Sequence, residues 1–120
     1  MWCNIHGHRK KEIDDAIKRQ LDKIAHTTLL GPSNIPAIEL AKKLAEVAPH
    51  GLKKIFYSDN GSTANEVALK MAFQYWQHKG YSEKTQFVAL QYGYHGDTIA
   101  TMGVGGIDIY HKVFQPLYFK

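Results

Sequence analysis

Apolar residues along the chain follow two different spacings, and each spacing predicts a different kind of element. Three stretches repeat apolar side chains every three and four positions, which is typical of amphipathic helices, over residues 11–25, 36–48 and 64–79. Two short runs at 54–57 and 87–90 are largely apolar or aromatic, which favours buried strands. The sequence therefore predicts an α/β fold in which two N-terminal helices precede a βαβ unit.

The predicted βαβ unit has two parallel strands joined by a right-handed crossover. Two strands cannot bury a parallel sheet, because such sheets need neighbouring strands and cover on both faces. The rest of the sequence adds only a short predicted helix at 99–104 and an irregular tail. We therefore expect residues 1–120 to form a single incomplete domain, a piece of a larger α/β domain.

A polar turn, Gly61-Ser62-Thr63, joins the first predicted strand to the long helix. In a parallel sheet such a turn lies at the carboxyl edge, where the free N–H groups and positive dipole end of the helix favour an anion such as a phosphate. The same residues also fit a plain helix cap, because Thr63-x-x-Glu66 matches a capping box. No G-x-x-x-x-G-K-[ST] motif is present, so a P-loop is excluded. Both interpretations of the turn stay open on local residues alone.

Composition limits the class of protein. With 44% hydrophobic and 22% charged residues, the chain is typical of a globular domain. The net charge of +4 comes from small basic groups on predicted helix faces, so we expect no nucleic-acid partner. No run approaches the roughly 18 apolar residues of a membrane span. The single cysteine fits a reducing compartment, and we expect a cytoplasmic protein.

The N-terminal segment contains candidate metal ligands at Cys3, His6 and His8. Their spacing matches no paired zinc pattern, and a fourth ligand would have to come from elsewhere, so no metal site is predicted. Trp2 lies so close to the end of the sequence that it would fray into solvent unless it packs against something.

A second loop, Tyr94-His95-Gly96-Asp97, follows the second predicted strand and is expected at the same sheet edge. By itself it could be a glycine turn with a hydrogen-bonded histidine. Together with residues 56–72, FYSDNGSTANEVALKMA, it resembles the class III, fold-type I aminotransferases that use pyridoxal phosphate. The resemblance covers essentially the whole chain, and residues 2–8, WCNIHGH, share it. It is strongest for the members of biotin biosynthesis, because Asp97 follows Tyr-His-Gly where many relatives have arginine.

The resemblance implies a coenzyme, a substrate pocket and a reaction. Gly61, Ser62 and Thr63 would bind the phosphate of pyridoxal 5'-phosphate, Ser62 through its backbone N–H and its hydroxyl. Tyr94 would lie against the coenzyme ring, and Trp2, Tyr94 and Asp97 would line the substrate pocket. The enzyme would be a homodimer that transfers an amino group from S-adenosylmethionine or lysine to 8-amino-7-oxononanoate. The sequence does not decide between these two donors.

The chain also departs from the family pattern. The family's Schiff-base lysine and the aspartate that pairs with the pyridine nitrogen lie beyond position 120, and Met1 stands where the family has the first tryptophan of a pair. The resemblance therefore implies a fragment of the large domain that is inactive alone and contains no catalytic residue of its own. Two alternatives stay open: another class III aminotransferase of the omega-amino acid type, or a non-catalytic phosphate-binding α/β fragment.

Overall fold

The structure is a computed structural model that describes residues 3–118. The described chain separates into two compact units, which divide between Ile55 and Phe56. The first unit contains helices α1 and α2, and the second contains α3, α4, α5 and a short 3-10 helix. Their bounds are, in chain order, Lys11–Leu21, Ile35–Val47, Gly61–His78, Ile99–Gly103, Asp108–His111 and Lys112–Leu117.

Helix α1 has the predicted start but ends four residues early, at Leu21 rather than at residue 25. Its first turn is stabilised by ion pairs that link Arg9 to Asp14 at 3.3 Å and Lys11 to Asp15. After Leu21 the chain leaves the helix, and the Gln20 side chain donates a hydrogen bond to the carbonyl of Ile24. The apolar stripe of α1 is about half exposed, so little packing holds its last predicted turn in helical form.

Helix α2 is predicted well because its ends carry strong local signals. The Asn34 side chain accepts a hydrogen bond from the backbone N–H of Ala37 at 2.9 Å, and Pro36 lies in the first turn. At the other end Ala48 is extended, with φ −68° and ψ 155°, since it precedes Pro49. The helix therefore ends at Val47, one residue before the predicted end.

Helix α3 is capped by a pair of residues that differs from the predicted one. The Asn60 side chain accepts from the N–H of Thr63 at 3.0 Å, and the Thr63 hydroxyl oxygen accepts from the N–H of Asn60 at 3.1 Å. A capping box is thus present, but Asn60 and Thr63 form it rather than Thr63 and Glu66. Gly80, with φ +84°, terminates the 18-residue helix as predicted.

The predicted parallel sheet is not supported. Residues 3–118 contain no β-strand, and neither 54–57 nor 87–90 forms a β-ladder. Val88 and Leu90 expose 102% and 83% of their surface. A buried strand needs hydrogen-bonding neighbours beside it and helices on both faces, and the described chain supplies too little of either. The apolar and aromatic residues of both runs favour a strand locally, but a strand forms only when partner strands distant in sequence pair with it.

The prediction of an irregular tail after Gly106 is also wrong. We predicted an irregular tail, but α5 and the 3-10 helix order residues 108–117. The short helix predicted at 99–104 is confirmed as α4. Thr101 and Met102 on α4 and His111 on α5 are the buried side chains among the described residues. The small core of the second unit therefore lies around α4, which packs against α3 and against the 3-10 helix that continues from α5.

Most of the predicted apolar surface remains uncovered. The chain exposes 10638 Å², whereas a folded monomer of this mass exposes about 6,600 Å². On α3, Met71, Phe73 and Tyr75 are each between 42% and 54% exposed. An excess of this size indicates that these faces are complementary to further protein surface.

No helix within residues 3–118 has the length and apolar character needed to cross a membrane.

Candidate functional site

The loop at residues 94–98 lies directly against the first turn of α3. Gly96 is buried and has φ +128°, a backbone angle that favours glycine. A Cβ atom added to Gly96 would lie 2.2 Å from Ser62 Oγ and 2.6 Å from Ser62 Cα, much closer than atoms can approach. Glycine at this position therefore allows the loop to contact the first turn of α3, which a residue with a Cβ atom would prevent.

Two hydrogen bonds hold the loop in this place. The Asn65 side-chain amide donates to the carbonyl of His95 at 2.8 Å, and the N–H of Thr98 donates to Ser62 Oγ at 3.0 Å. The two bonds join residues 30 and 36 positions apart in sequence. They bring the predicted phosphate-binding turn and the predicted ring-binding loop to one site, although no sheet edge places them there.

A cluster of hydroxyl groups lies beneath the contact, formed by Ser62, Thr98 and Thr101 with the carboxylate of Glu66. Thr98 Oγ1 donates its proton to Glu66 Oε2 at 2.6 Å, and Thr101 Oγ1 donates to the carbonyl of Thr98 at 2.9 Å. Both threonine hydroxyls have then used their only proton. Ser62 Oγ lies 2.9 Å and 3.1 Å from these two oxygens and can donate its proton to either of them. Ser62 Oγ also accepts from the N–H of Thr98, so these contacts hold the hydroxyl at the start of α3.

Only some of the backbone N–H groups at the start of α3 donate hydrogen bonds. Those of Thr63 and Ala64 donate to the Asn60 side chain and carbonyl, at 3.0 Å and 2.9 Å. Within the described residues, those of Gly61 and Ser62 donate to no protein acceptor. Two free donors at the positive end of an 18-residue helix are suited to bind an anion. The Thr63 side chain, in contrast, is fully used by the cap, because Ser58 Oγ also donates to it at 2.7 Å.

Tyr94 and Asp97 form a second pair beside this helix end. The Tyr94 hydroxyl donates to Asp97 Oδ2 at 2.7 Å, and His111 Nε2 lies 3.1 Å from Asp97 Oδ1. The hydrogen bond from Tyr94, followed by that from His111, lowers the pKa of Asp97 below its usual value. The same bond, with some desolvation and the nearby negative charge, raises the pKa of Tyr94. At neutral pH the pair is therefore a carboxylate and a neutral phenol.

An open groove of about 730 Å³ borders this pair. Because Tyr94 gives its proton to Asp97, the phenol oxygen and the carboxylate both face outward as acceptors. The rest of the groove is mainly apolar. A positively charged amine attached to an aliphatic body has the matching chemistry. The groove is lined by Tyr94, Asp97, Ile99, Met102, Tyr110, His111, Phe114 and Leu117.

The structure brings the predicted residues Gly61, Ser62, Thr63, Tyr94 and Asp97 together in the second unit. Trp2, which was predicted to line the substrate pocket, lies outside the described residues. Among residues 3–118 no group of three histidine, cysteine or acidic side chains could hold a metal ion.

Sequence reasoning missed two functional candidates, Glu66 and His111. Glu66 was assigned to a helix cap, although its spacing after Ser62 places both side chains on one face of α3 and so could have linked them. His111 carries no comparable signal, since it contacts Asp97 from 14 positions away in a segment predicted to be irregular.

Comparison with known proteins identifies the family. The class-III aminotransferase model matches residues 1–120. The adenosylmethionine-8-amino-7-oxononanoate aminotransferase of Anoxybacillus flavithermus is 60% identical over 99% of this chain, and that of Geobacter sulfurreducens is 56% identical over 99%. The alignments cover 26% of each relative. The chain thus spans about a quarter of the length of the relatives it matches.

Solved structures give the same result. The crystal structure of the Methanocaldococcus jannaschii adenosylmethionine-8-amino-7-oxononanoate aminotransferase has a TM-score of 0.96 at 52% identity, over 100% of this chain and 27% of that one. A PLP-bound aminotransferase mutant from Vibrio fluvialis has a TM-score of 0.85 at 28% identity, over 92% of this chain and 25% of that one. The family model and the solved structures agree with the resemblance seen in the sequence, and the chain belongs to the class-III aminotransferase family.

Proposed function

We propose that this chain is the coenzyme-phosphate and ring-binding part of a transaminase of biotin biosynthesis. The enzyme transfers an amino group from S-adenosylmethionine or lysine to 8-amino-7-oxononanoate and gives 7,8-diaminononanoate. The observation that carries the proposal is the contact between Gly96 and Ser62, which places a free helix N-terminus beside Tyr94 and Asp97. Relatives 51–60% identical over almost the whole chain bear the name of this activity, which supports the choice of substrate.

The phosphate of pyridoxal phosphate fits the helix end. The N–H groups of Gly61 and Ser62 are the donors it would use, and the dipole of α3 favours its negative charge. The threonine cluster holds the Ser62 hydroxyl and so fixes its position beside these N–H groups. Thr63 acts through the cap that holds these N–H groups in place. Bound here, pyridoxal phosphate supplies the electron sink for amino transfer.

Tyr94 has the geometry of a ring-stacking residue. One face of its ring lies against the His111 ring, with centroids 6.3 Å apart and planes 26° from parallel. Tyr94 is nevertheless 60% exposed, which leaves ring surface for the pyridine of the coenzyme. Its hydroxyl oxygen and the Asp97 carboxylate would together accept hydrogen bonds from the substrate amine, while the apolar groove takes the aliphatic chain. We further assign Trp2 to the wall of this pocket.

The remaining parts of the reaction lie outside this set of residues. We propose that the lysine that carries the coenzyme and the aspartate that pairs with its ring nitrogen come from the rest of the enzyme. That enzyme is proposed to be a cytoplasmic homodimer with small-molecule substrates. The large exposed apolar surface of α1 and α3 is consistent with burial against such additional structure.

The test uses a full-length version, in which this chain is completed with the remaining sequence of the Methanocaldococcus jannaschii relative. We expect it to aminate 8-amino-7-oxononanoate with S-adenosylmethionine or lysine, and with higher kcat/KM than it aminates simple keto acids. Asp97→Asn keeps the groove but removes the charge, so kcat/KM for the amine-bearing acceptor should fall about 10-fold or more. A preference for keto acids in the unmodified version would favour the omega-amino acid type of aminotransferase instead.

A further inference from the structure

His111 is a buried histidine in a unit that buries very little. Only 4% of its surface is exposed, although it lies on α5, a helix of four residues. The Tyr118 hydroxyl donates to the His111 carbonyl at 2.9 Å and so fixes the backbone of this short helix. A polar ring held this firmly at the border of the candidate site needs a physical reason, because aliphatic side chains fill such positions at lower cost.

The two ring nitrogens of His111 have different surroundings. Nε2 lies 3.1 Å from Asp97 Oδ1, whereas Nδ1 is buried without a hydrogen-bond partner among the described residues. A Cβ atom added to Gly105 would lie 3.4 Å from Nδ1, so this nitrogen faces the Gly105 backbone. A proton on Nδ1 would be a buried donor without an acceptor. The arrangement therefore favours the tautomer with its proton on Nε2, which donates to Asp97.

His111 contacts both members of the acceptor pair. Its ring stacks on Tyr94, and its Nε2–H occupies one oxygen of Asp97 while the Tyr94 hydroxyl occupies the other. The carboxylate is thus held at both oxygens and cannot rotate without breaking a charge-assisted bond. Tyr94, in turn, is held at its hydroxyl by Asp97 and at one ring face by His111.

We propose that His111 is a positioning residue, which fixes the Asp97 carboxylate through Nε2–H and the Tyr94 ring through stacking. In this role it sets the orientation in which both side chains meet the amine-bearing substrate and the coenzyme ring. The effect of His111 on catalysis rests on the proposed function, because that proposal assigns Asp97 to the substrate and Tyr94 to the coenzyme. The alternative is that His111 only fills space between α5 and the loop.

Two substitutions separate the two contacts. His111→Phe keeps a ring against Tyr94 and removes the donor to Asp97, whereas His111→Gln keeps an N–H donor and removes the ring. His78→Gln, at an exposed histidine in the last turn of α3, is the matched control. All are made in the full-length version, and each is compared with the unmodified protein.

The first readout is the titration of the Asp97 carboxyl in the coenzyme-free protein. It is followed by NMR with carbon-13-labelled aspartate and assigned by its absence in Asp97→Asn. Tyr94 and His111 are the titratable groups that hydrogen-bond this carboxylate among the described residues. In His111→Phe the loss of one donor should move the titration of Asp97 to higher pH, and His111→Gln should stay close to the unmodified protein.

The second readout is binding and turnover. His111→Phe should raise KM for 8-amino-7-oxononanoate about 10-fold while it leaves coenzyme affinity within about 2-fold. His111→Gln should weaken coenzyme binding about 2- to 10-fold, the size expected for a lost aromatic pair, and change KM less. If His111→Phe does not fold, this effect of His111→Gln on coenzyme affinity still decides whether the ring positions Tyr94.

The results that would overturn the proposal are specific. An Asp97 titration and a KM that stay unchanged in His111→Phe, with only stability reduced, would reduce His111 to a packing residue. Coenzyme affinity unchanged in His111→Gln would exclude the stacking role. If the unmodified full-length version binds coenzyme but does not aminate this substrate, the proposed function fails. A shifted Asp97 titration in His111→Phe would then still support the contact itself.

Discussion

Gly96→Ala tests the contact on which the candidate site depends. The new Cβ would lie 2.2 Å from Ser62 Oγ, about 0.8 Å closer than the 3.0 Å below which something must shift. The neighbouring atoms include Ser62 Cβ and Cα at 2.4 Å and 2.6 Å, so rotation of the side chain does not relieve the overlap. The loop must therefore move away from α3.

The magnitude follows from what this movement breaks. A displacement of about 0.8 Å lengthens the 3.0 Å bond from the Thr98 N–H to Ser62 beyond hydrogen-bonding range, and it strains the bond from Asn65 to His95. Each bond contributes about 0.5–1.5 kcal/mol, and alanine at φ +128° adds about 1–3 kcal/mol of backbone strain. We expect a loss of about 2–6 kcal/mol in the free energy of unfolding.

Two matched variants separate these terms. Gly80→Ala introduces alanine at φ +84° with no atom within 4 Å of the new Cβ, so it measures backbone strain alone. Gly61→Ala has neither positive φ nor a close neighbour, and it should be close to neutral. Urea unfolding and coenzyme affinity are measured for all three in the full-length version. The reasoning is refuted if Gly96→Ala destabilises no more than Gly80→Ala and binds coenzyme equally well.

Three further predictions concern the same unit. Thr101→Val should cost about 0.5–1.5 kcal/mol in the free energy of unfolding, because it removes the hydrogen bond that a fully buried hydroxyl donates to the carbonyl of Thr98. Urea unfolding against the exposed control Thr85→Val measures the difference. Because the pKa of Asp97 is lowered in the folded state, its contribution to stability is present above the unfolded-state pKa and is lost as pH falls through the folded-state pKa. The free energy of unfolding, measured against pH, should therefore fall less steeply in acid for Asp97→Asn than for the unmodified protein. The 120-residue chain by itself should form no diaminononanoate from either donor, and chromatographic detection of this product would contradict the assignment of the coenzyme lysine to the rest of the enzyme.

Helices were predictable where the signal is local. Asn34, Pro36 and Pro49 define α2, and Gly80 ends α3, because caps and breakers act within a few residues. The start of α3 was predicted at residue 64 and lies at Gly61, because Asn60 rather than Thr63 is its N-cap. The strands were not realised, since a strand needs partners that the described chain does not provide. The lack of packing partners within the described chain also explains why its apolar faces are exposed.

The candidate site was predictable in its members but not in its hydrogen bonds. The resemblance placed Ser62 near a phosphate and gave its hydroxyl a direct role. The direction of its proton depends on Thr98, Thr101 and Glu66, which meet Ser62 only after folding. His111 escaped notice for the same reason, because its contact with Asp97 is tertiary and its segment has too few residues for a periodic pattern.

The central claim is that the free N–H groups at the start of α3 bind the coenzyme phosphate. Gly61→Pro removes one N–H and preserves the helix, since proline suits the first helical position and Asn60 before it is extended, with φ −158° and ψ 177°. Gly61→Ala retains the N–H and meets no atom within 4 Å. The dissociation constant of pyridoxal phosphate, measured in the full-length version, should rise about 10- to 100-fold in Gly61→Pro and stay unchanged in Gly61→Ala. Equal affinity in the two variants would contradict the assignment of the phosphate to this helix end.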